Sequence, residues 1–327
     1  MRHPRISSFQ RIEFRINCFI KAPAQSPFKP VILVTGCSSG IGHALAKLLF
    51  TLNQYRVIVT ARSKSLGLLK SHFPESSRFL VRPLDVTDES ARNQLIREIE
   101  TMWGGVNVLV NNAGVSYRAV VEHMNAAEEQ HQFDTNYFGP VGLIRAVLPF
   151  MRKMGRGKII NVSSVSGMLA MPTMGSYSAS KYALEGISES LWYEVRPLGI
   201  NVSLIQPGFV RSKSFLNVRY SSASGPEHGI EGLYADYYMH MTPFIERLMG
   251  LSFTTPENVA RRILKTINQK NPPLWIPATL DARIFYYLRR FVPRKFLLEF
   301  LFGSLPRVRH WAKTYTNRKK HRSLSRD

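Results

Sequence analysis

The run Tyr177-Ser178-Ala179-Ser180-Lys181 places a phenol and an ammonium four residues apart. On a helix, positions i and i+4 lie about one turn apart on the same face, so the two groups can act together. A tyrosine begins near pKa 10, and each unit of lowering corresponds to about 1.4 kcal/mol, so approaching neutral pH takes roughly 4 kcal/mol. Positive charge from Lys181 favours the phenolate and would let Tyr177 exchange a proton with a substrate oxygen. Ser164 lies thirteen positions earlier, in Asn161-Val162-Ser163-Ser164-Val165-Ser166-Gly167, at the end of an expected strand. Its hydroxyl could polarise the same oxygen while hydride passes to or from the adjacent carbon. A Tyr-x-x-x-Lys pair alone is an ordinary helix surface, so the reading rests on all three residues together with a place for a hydride carrier.

That place is written into Thr35-Gly36-Cys37-Ser38-Ser39-Gly40-Ile41-Gly42, which follows a β-branched run and leads into His43-Ala44-Leu45-Ala46. Glycines let the turn approach a pyrophosphate, and the following helix offers unpaired N–H groups to it. The spacing G-x-x-x-G-x-G departs from the common G-x-G-x-x-G. About twenty residues beyond such a loop an acid receives the ribose 2′-hydroxyl of NAD, whereas an arginine accommodates the 2′-phosphate of NADP. Counting from Gly42 reaches Arg62, with Lys64 nearby. NADP(H) is therefore favoured, with NAD(H) as the alternative if Arg62 is only a solvated surface residue.

Elements that could position these groups alternate from Pro30 onward. Strands are expected at 31–34, 56–59, 79–81, 108–110, 158–161, 202–205 and 274–276, and helices at 41–52, 89–103, 129–151, 177–196 and 256–267. The pattern predicts an α/β fold: a doubly wound, Rossmann-type sheet of seven parallel strands with helices on both faces and a ligand crevice at the strands' carboxyl ends. The expected division is a basic extension over 1–28, a catalytic domain over 29–280, and a basic amphipathic extension over 281–327.

With these motifs in order, residues 30 to 280 resemble the short-chain dehydrogenase/reductase family. The resemblance implies a catalytic tetrad of Asn136, Ser164, Tyr177 and Lys181, with Asn136 holding a water in the proton relay. It implies cofactor contacts from Gly36, Ser38, Ser39, Gly40, Ile41 and Gly42 on the pyrophosphate. It also implies contacts from Asp85 and Val86 near the adenine, and from Asn112, Ala113 and Gly114 after the fourth strand. Pro207, Gly208, Val210 and Ser212 would lie beside the nicotinamide, Ser212 standing where the family usually has threonine. Ser38-Ser39 and Tyr177 to Gly186 look most like hydroxysteroid and retinol dehydrogenases. Members often pair through the helices at 129–151 and 177–196, which implies a homodimer or homotetramer.

The substrate should meet Ser164, Tyr177, Met171 and the segment from Ser212 to Gly250, whose Phe215, Tyr220, Tyr237, Met241 and Phe244 suit a small hydrophobic molecule. The alternative role for half of these is in the core. The expected activity is NADP(H)-dependent interconversion of a hydrophobic ketone or aldehyde and its alcohol, steroid-, retinoid- or lipid-like. A non-catalytic NADP(H) sensor or a membrane-docked binding protein is the alternative class, against which the complete tetrad argues.

The formal net charge of +22 is concentrated at the ends: from Asp281 onward thirteen basic residues face three acids. No RNP-like signature, zinc spacing or helix-turn-helix organises this charge, so nucleic acid is not an expected partner. Cys18 and Cys37 are too few for a disulfide framework or a cysteine metal cluster, and no metal is expected. No run of about 18 apolar residues predicts a spanning helix. Two stretches, 283–292 and 296–302, are basic, aromatic and amphipathic, and suit either an anionic membrane surface or packing on the core. A cytoplasmic location, peripheral on a membrane, follows; the Arg-rich, acid-poor residues 1–28 leave organelle targeting open.

Overall fold

The structure, a computed structural model, describes residues 29–212, 218–224 and 233–311. The opening strand β1 (Val31–Val34) is buried at all four positions, as a parallel strand covered on both faces must be. Helix α1 (Gly40–Thr51) returns the chain to β2 (Arg56–Ala61), and α2 (Ser63–His72) leads to β3 (Phe79–Pro83). The chain then crosses through α3 (Glu89–Trp103) to β4 (Val108–Asn111) on the other side of β1. Asp88 caps α3 by accepting a hydrogen bond from the Ala91 amide at 3.0 Å, and Gly104 ends it with φ +78°.

Beyond the short strand β5 (Tyr117–Arg118) come α4 (Ala126–Phe133), a π-helical turn at Asp134–Phe138, and α5 (Gly139–Met154). Next follow β6 (Gly157–Val162), α6 (Gly175–Val195), β7 (Ile200–Gln206), the short β8 (Arg219–Tyr220), α7 (Ala235–Leu251), α8 (Pro256–Asn268) and β9 (Trp275–Pro277). Helices α9 (Leu280–Phe291) and α10 (Arg294–Ser304) complete the described elements.

The main sheet has seven parallel strands in the order β3-β2-β1-β4-β6-β7-β9, and β5 pairs with β8 in a separate parallel ribbon. Two apolar layers cover its faces. One joins Leu45 and Leu49 of α1 to Leu69 of α2 and to Val259 and Ile263 of α8. The other joins Leu95 and Ile99 of α3 to Leu143 and Val147 of α5 and Leu191 of α6. The chain winds outward in opposite directions from β1 and β4, so their carboxyl ends diverge and open the crevice expected of this topology.

All seven expected strands are present, the last displaced by one residue. Three helical features depart from the sequence reading. The single helix expected over 129–151 is α4, the π turn and α5, and the break in register falls at Asn136; such a turn inserts an extra residue without ending the helical rod. Helix α2 was not expected because its apolar face is slight, with Leu69 as its buried residue. Helix α7 lies within the segment expected only to cover the substrate, where Pro243 interrupts the usual helical signal. Phe215 and Leu216 lie outside the described residues.

Candidate active site

The phosphate loop is fixed to the sheet by its neighbours across the crevice. Thr35 Oγ1 accepts from the amides of Asn112 (3.0 Å) and Ala113 (3.1 Å), while Asn112 Nδ2 donates to the Thr35 and Gly36 carbonyls, each at 3.0 Å. Gly36 has φ +71°, and a Cβ there would stand 2.7 Å from Ala113 Cα, so this turn requires glycine. A Cβ on Gly42 would stand 2.3 Å from the Gly36 carbonyl oxygen. Gly42 therefore packs beneath the loop instead of lining the cleft. Ser39, the residue before α1, makes no side-chain cap bond and no acid follows in the first turn. The amides at this end are left to an anion.

The crevice is a cleft of about 590 Å³. Gly36, Ser38, Ser39, Gly40 and Ile41 form one end of it; Arg62, Asp85 and Val86 border it where β2 and β3 stop. Asn112, Ala113 and Gly114 follow from β4, and Pro207, Gly208, Val210 and Ser212 from β7. Ser164, Tyr177 and Lys181 line the same cleft. The Asp85 carboxyl, pulled upward by burial, is held below its usual range by hydrogen bonds from Thr87 and the charge of Arg62. A glycine-lined turn at an open helix N-terminus, with a cation beside the far end, fits a dinucleotide; the bound cofactor would supply the hydride.

Besides Gly42, two further expected residues lie outside the cleft lining. Asn136 is fully buried behind the cleft wall: its amide donates to Val115 O (2.9 Å) and Ser180 Oγ (3.0 Å) and accepts from Val115 N (2.9 Å). With those bonds made, its side chain ties the strand-exit backbone to α6. Met171 packs against the cluster of Met241, Ile245, Leu305 and Trp311, which joins α7 to the C-terminal segment. It stands behind the substrate end instead of lining it. Lys64, named beside Arg62 from the sequence, also lines the cleft, as do His131, Val218, Arg219 and Met249, which the sequence reading leaves unassigned. Val218 and Met249 are apolar residues of the covering segment, and a register for them was not readable without its helix.

Ser164 ends the run after β6 and accepts from the Ser166 amide at 3.1 Å. Burial pushes the Tyr177 phenol above its ordinary value, and a hydrogen bond with Ser164 pulls it part of the way back. Lys181 donates to Val162 O at 3.0 Å, with Nζ 5.9 Å from the Tyr177 ring centre. The protein alone therefore does not bring the phenol toward neutrality, because burial outweighs the Ser164 hydrogen bond. Cationic charge at the nicotinamide end of the cleft must do the rest in the oxidation direction. Burial lowers Lys181 itself to about 8, and Glu185 opposes the fall. Among the described residues no group of three His, Cys, Asp or Glu is placed to hold a metal ion.

With this geometry in view, comparison with known proteins is decisive for the family. The chain matches the family model for short chain dehydrogenase over residues 30–221. It is 35% identical over 279 residues to 3-ketodihydrosphingosine reductase of Bacteroides thetaiotaomicron, covering 79% of this chain and 98% of that protein. Retinol dehydrogenase 8 of Bos taurus is 35% identical over 252 residues, covering 74% of this chain and 79% of that one. A solved short-chain dehydrogenase from Streptomyces avermitilis superposes with a TM-score of 0.68 at 32% identity, covering 84% and 98%. The chain belongs to the short-chain dehydrogenase/reductase family and is an NAD(P)-dependent oxidoreductase acting on CH–OH groups.

Because Lys181 carries its charge below about pH 8 and loses it above, kcat/KM for ketone reduction should fall as pH rises through that value. Tyr177, raised by burial, stays protonated across that limb. Replacing Lys181 with arginine should remove the limb from the measured range; a wild-type profile flat to about pH 10 would contradict the assignment.

Proposed function

We propose that this protein is an NADP(H)-dependent oxidoreductase that interconverts hydrophobic ketones or aldehydes and their alcohols. The observation that carries the cofactor choice is Arg62, half-buried where β2 meets α2 at the border of the cleft, with exposed Lys64 beside it. A 2′-phosphate bears about −1.5 to −2 charges, and charge-assisted hydrogen bonds to a guanidinium contribute about 1.5–3 kcal/mol. An acid in this place would favour the 2′-hydroxyl of NAD instead.

In this reading Tyr177 gives its proton to the carbonyl oxygen during reduction and takes it back during oxidation, Ser164 holds that oxygen, and Lys181 orients the ribose beneath it. Val115, Val218 and Met249 line the substrate end, and the apolar cluster of α7 stands behind it. A hydrophobic substrate fits that wall better than a sugar, whose hydroxyls would need partners. The long-chain ketone in the name of one relative and the retinol in that of another support the same chemical class.

We also propose that α9 and α10 rest on an anionic lipid surface. No helix of the described residues is long and apolar enough to cross a membrane. Leu280, Ile284, Tyr287 and Phe291 are nevertheless all exposed, and their spacing makes one stripe along α9. Phe296, Leu298, Phe300 and Phe302 extend the exposed apolar surface over α10, with Arg283, Arg290, Arg294 and Lys295 exposed beside it. Docking two copies through this face would oppose like charges, whereas anionic headgroups would neutralise them.

Fluorescence titration should give tighter binding of NADPH than NADH, and Arg62→Asp should weaken NADPH binding by at least about tenfold. Equal affinities in the wild type, or no effect of the substitution, would overturn the cofactor reading. The chain should sediment with phosphatidylcholine vesicles that contain phosphatidylglycerol, less so without it or at high salt, and not when Phe291 and Phe300 are both serine. Self-association without vesicle binding would give this face to a second copy instead.

A further inference from the structure

Glu185 is half-buried one turn beyond Lys181 on α6 and is not among the residues that line the cofactor cleft. Its Oε1 accepts from Ser163 Oγ at 2.7 Å and from Gln206 Nε2 at 2.9 Å, and its Oε2 from the same Gln206 nitrogen at 3.0 Å. Ser163 precedes Ser164, and Gln206 precedes Pro207. Two features show what the surroundings give up to hold this carboxylate. Gly167 has no side chain where a Cβ would stand 2.5 Å from Glu185 Oε1 and 2.6 Å from Ser163 Oγ. Gln206 aims its amide nitrogen at the carboxylate and leaves its buried Oε1 without a donor among the described residues, an expensive arrangement unless the anion repays it.

We propose that Glu185 is a positioning residue of the catalytic site, tying the strand ends that carry Ser164 and Pro207 to the helix that carries Tyr177 and Lys181, and holding positive charge on Lys181. The proposal rests on the chemistry assigned above to those residues. Burial raises the Glu185 carboxyl, while the bonds from Gln206 and Ser163 and the charges of Arg289 and Lys181 oppose that rise. The other groups facing it are Tyr182 and Glu189 on α6 and Arg290 on α9. Together with Trp275 they line a second cavity of about 440 Å³ between α6 and α9. Arg289 is held over the Tyr182 ring at 5.1 Å, so its position is fixed by more than the carboxylate.

Glu185→Gln keeps a side chain of the same length that can still accept from Ser163, but removes the charge. Glu185→Asp keeps the charge on a side chain one methylene too short for both partners. Competitive labelling of the cofactor-free protein with acetic anhydride, read peptide by peptide against pH, titrates Lys181 without substrate or turnover, with exposed Lys70 as the internal reference. Its failure is thus separate from any failure to find the substrate. The Lys181 midpoint should fall by roughly half a pH unit or more in Glu185→Gln, the size expected of one charge lost in a partly polar interior, while that of Lys70 stays put. In Glu185→Asp the midpoint should stay near that of the wild type while NADPH binds at least about threefold more weakly, because the strand ends are no longer tied. An unchanged midpoint in Glu185→Gln, or NADPH affinity in Glu185→Asp equal to that of the wild type, would overturn the proposal.

Discussion

Asn112 joins the two halves of the sheet at the place where they part. Its side-chain amide holds the Thr35 and Gly36 carbonyls, and its backbone amide is received by the Thr35 hydroxyl. The phosphate loop leaves β1 and the cofactor-lining run leaves β4, so these bonds set the distance between them. Everything that acts on the dinucleotide is registered from that join. The open amides of α1 would take an anion, Arg62 and Asp85 border the end where an adenine would lie, and Pro207 and Gly208 line the cleft beyond β7. A parallel sheet with a winding reversal supplies the opening, and local hydrogen bonds give it a fixed width.

The chemistry is registered from a second rod. Helix α6 presents Tyr177, Lys181, Glu185 and Ser188 at intervals of four, four and three residues, and each meets the end of β6 or a strand beside it. Ser188 closes the set by accepting from Asn161, which in turn accepts from Asn111 of β4. The tetrad is therefore held by a buried polar ladder, and its members differ in what they leave free. Asn136 is bonded to Val115 and Ser180 behind the wall, whereas Tyr177 faces the cleft. Holding a lysine in such a place lowers its affinity for a proton, and the charge of the half-buried Glu185 carboxylate opposes that tendency.

Much of this was legible because glycines, β-branched runs and the Tyr-x-x-x-Lys spacing are local signals. The seven strands could be read from runs such as Val31–Val34 because both faces of a parallel strand are buried, which leaves an uninterrupted apolar string. The positions of Gly42, Asn136 and Met171 were not readable in the same way. The glycine motif placed Gly42 at the site, the family resemblance Asn136 and apolar character Met171, but whether a side chain lines a cavity or braces its wall depends on its three-dimensional neighbours. The π turn at Asp134–Phe138 is a case in point: its one extra residue leaves the apolar pattern of 129–151 nearly intact while rotating Asn136 onto Val115 and Ser180. Glu185 did carry a signal, four residues beyond Lys181, yet only the approach of Gly167 and Gln206 shows what it does.

The central claim is that Tyr177 carries the proton while the surrounding cleft only binds. Removing one oxygen atom separates the two roles, since phenylalanine keeps the ring that packs against Ser164 and Lys181. Turnover of hydrophobic ketones by Tyr177→Phe, measured beside NADPH affinity, should fall by about 10²–10⁴-fold while affinity stays within about threefold of the wild type. Turnover that survives the substitution with cofactor still bound would contradict the account.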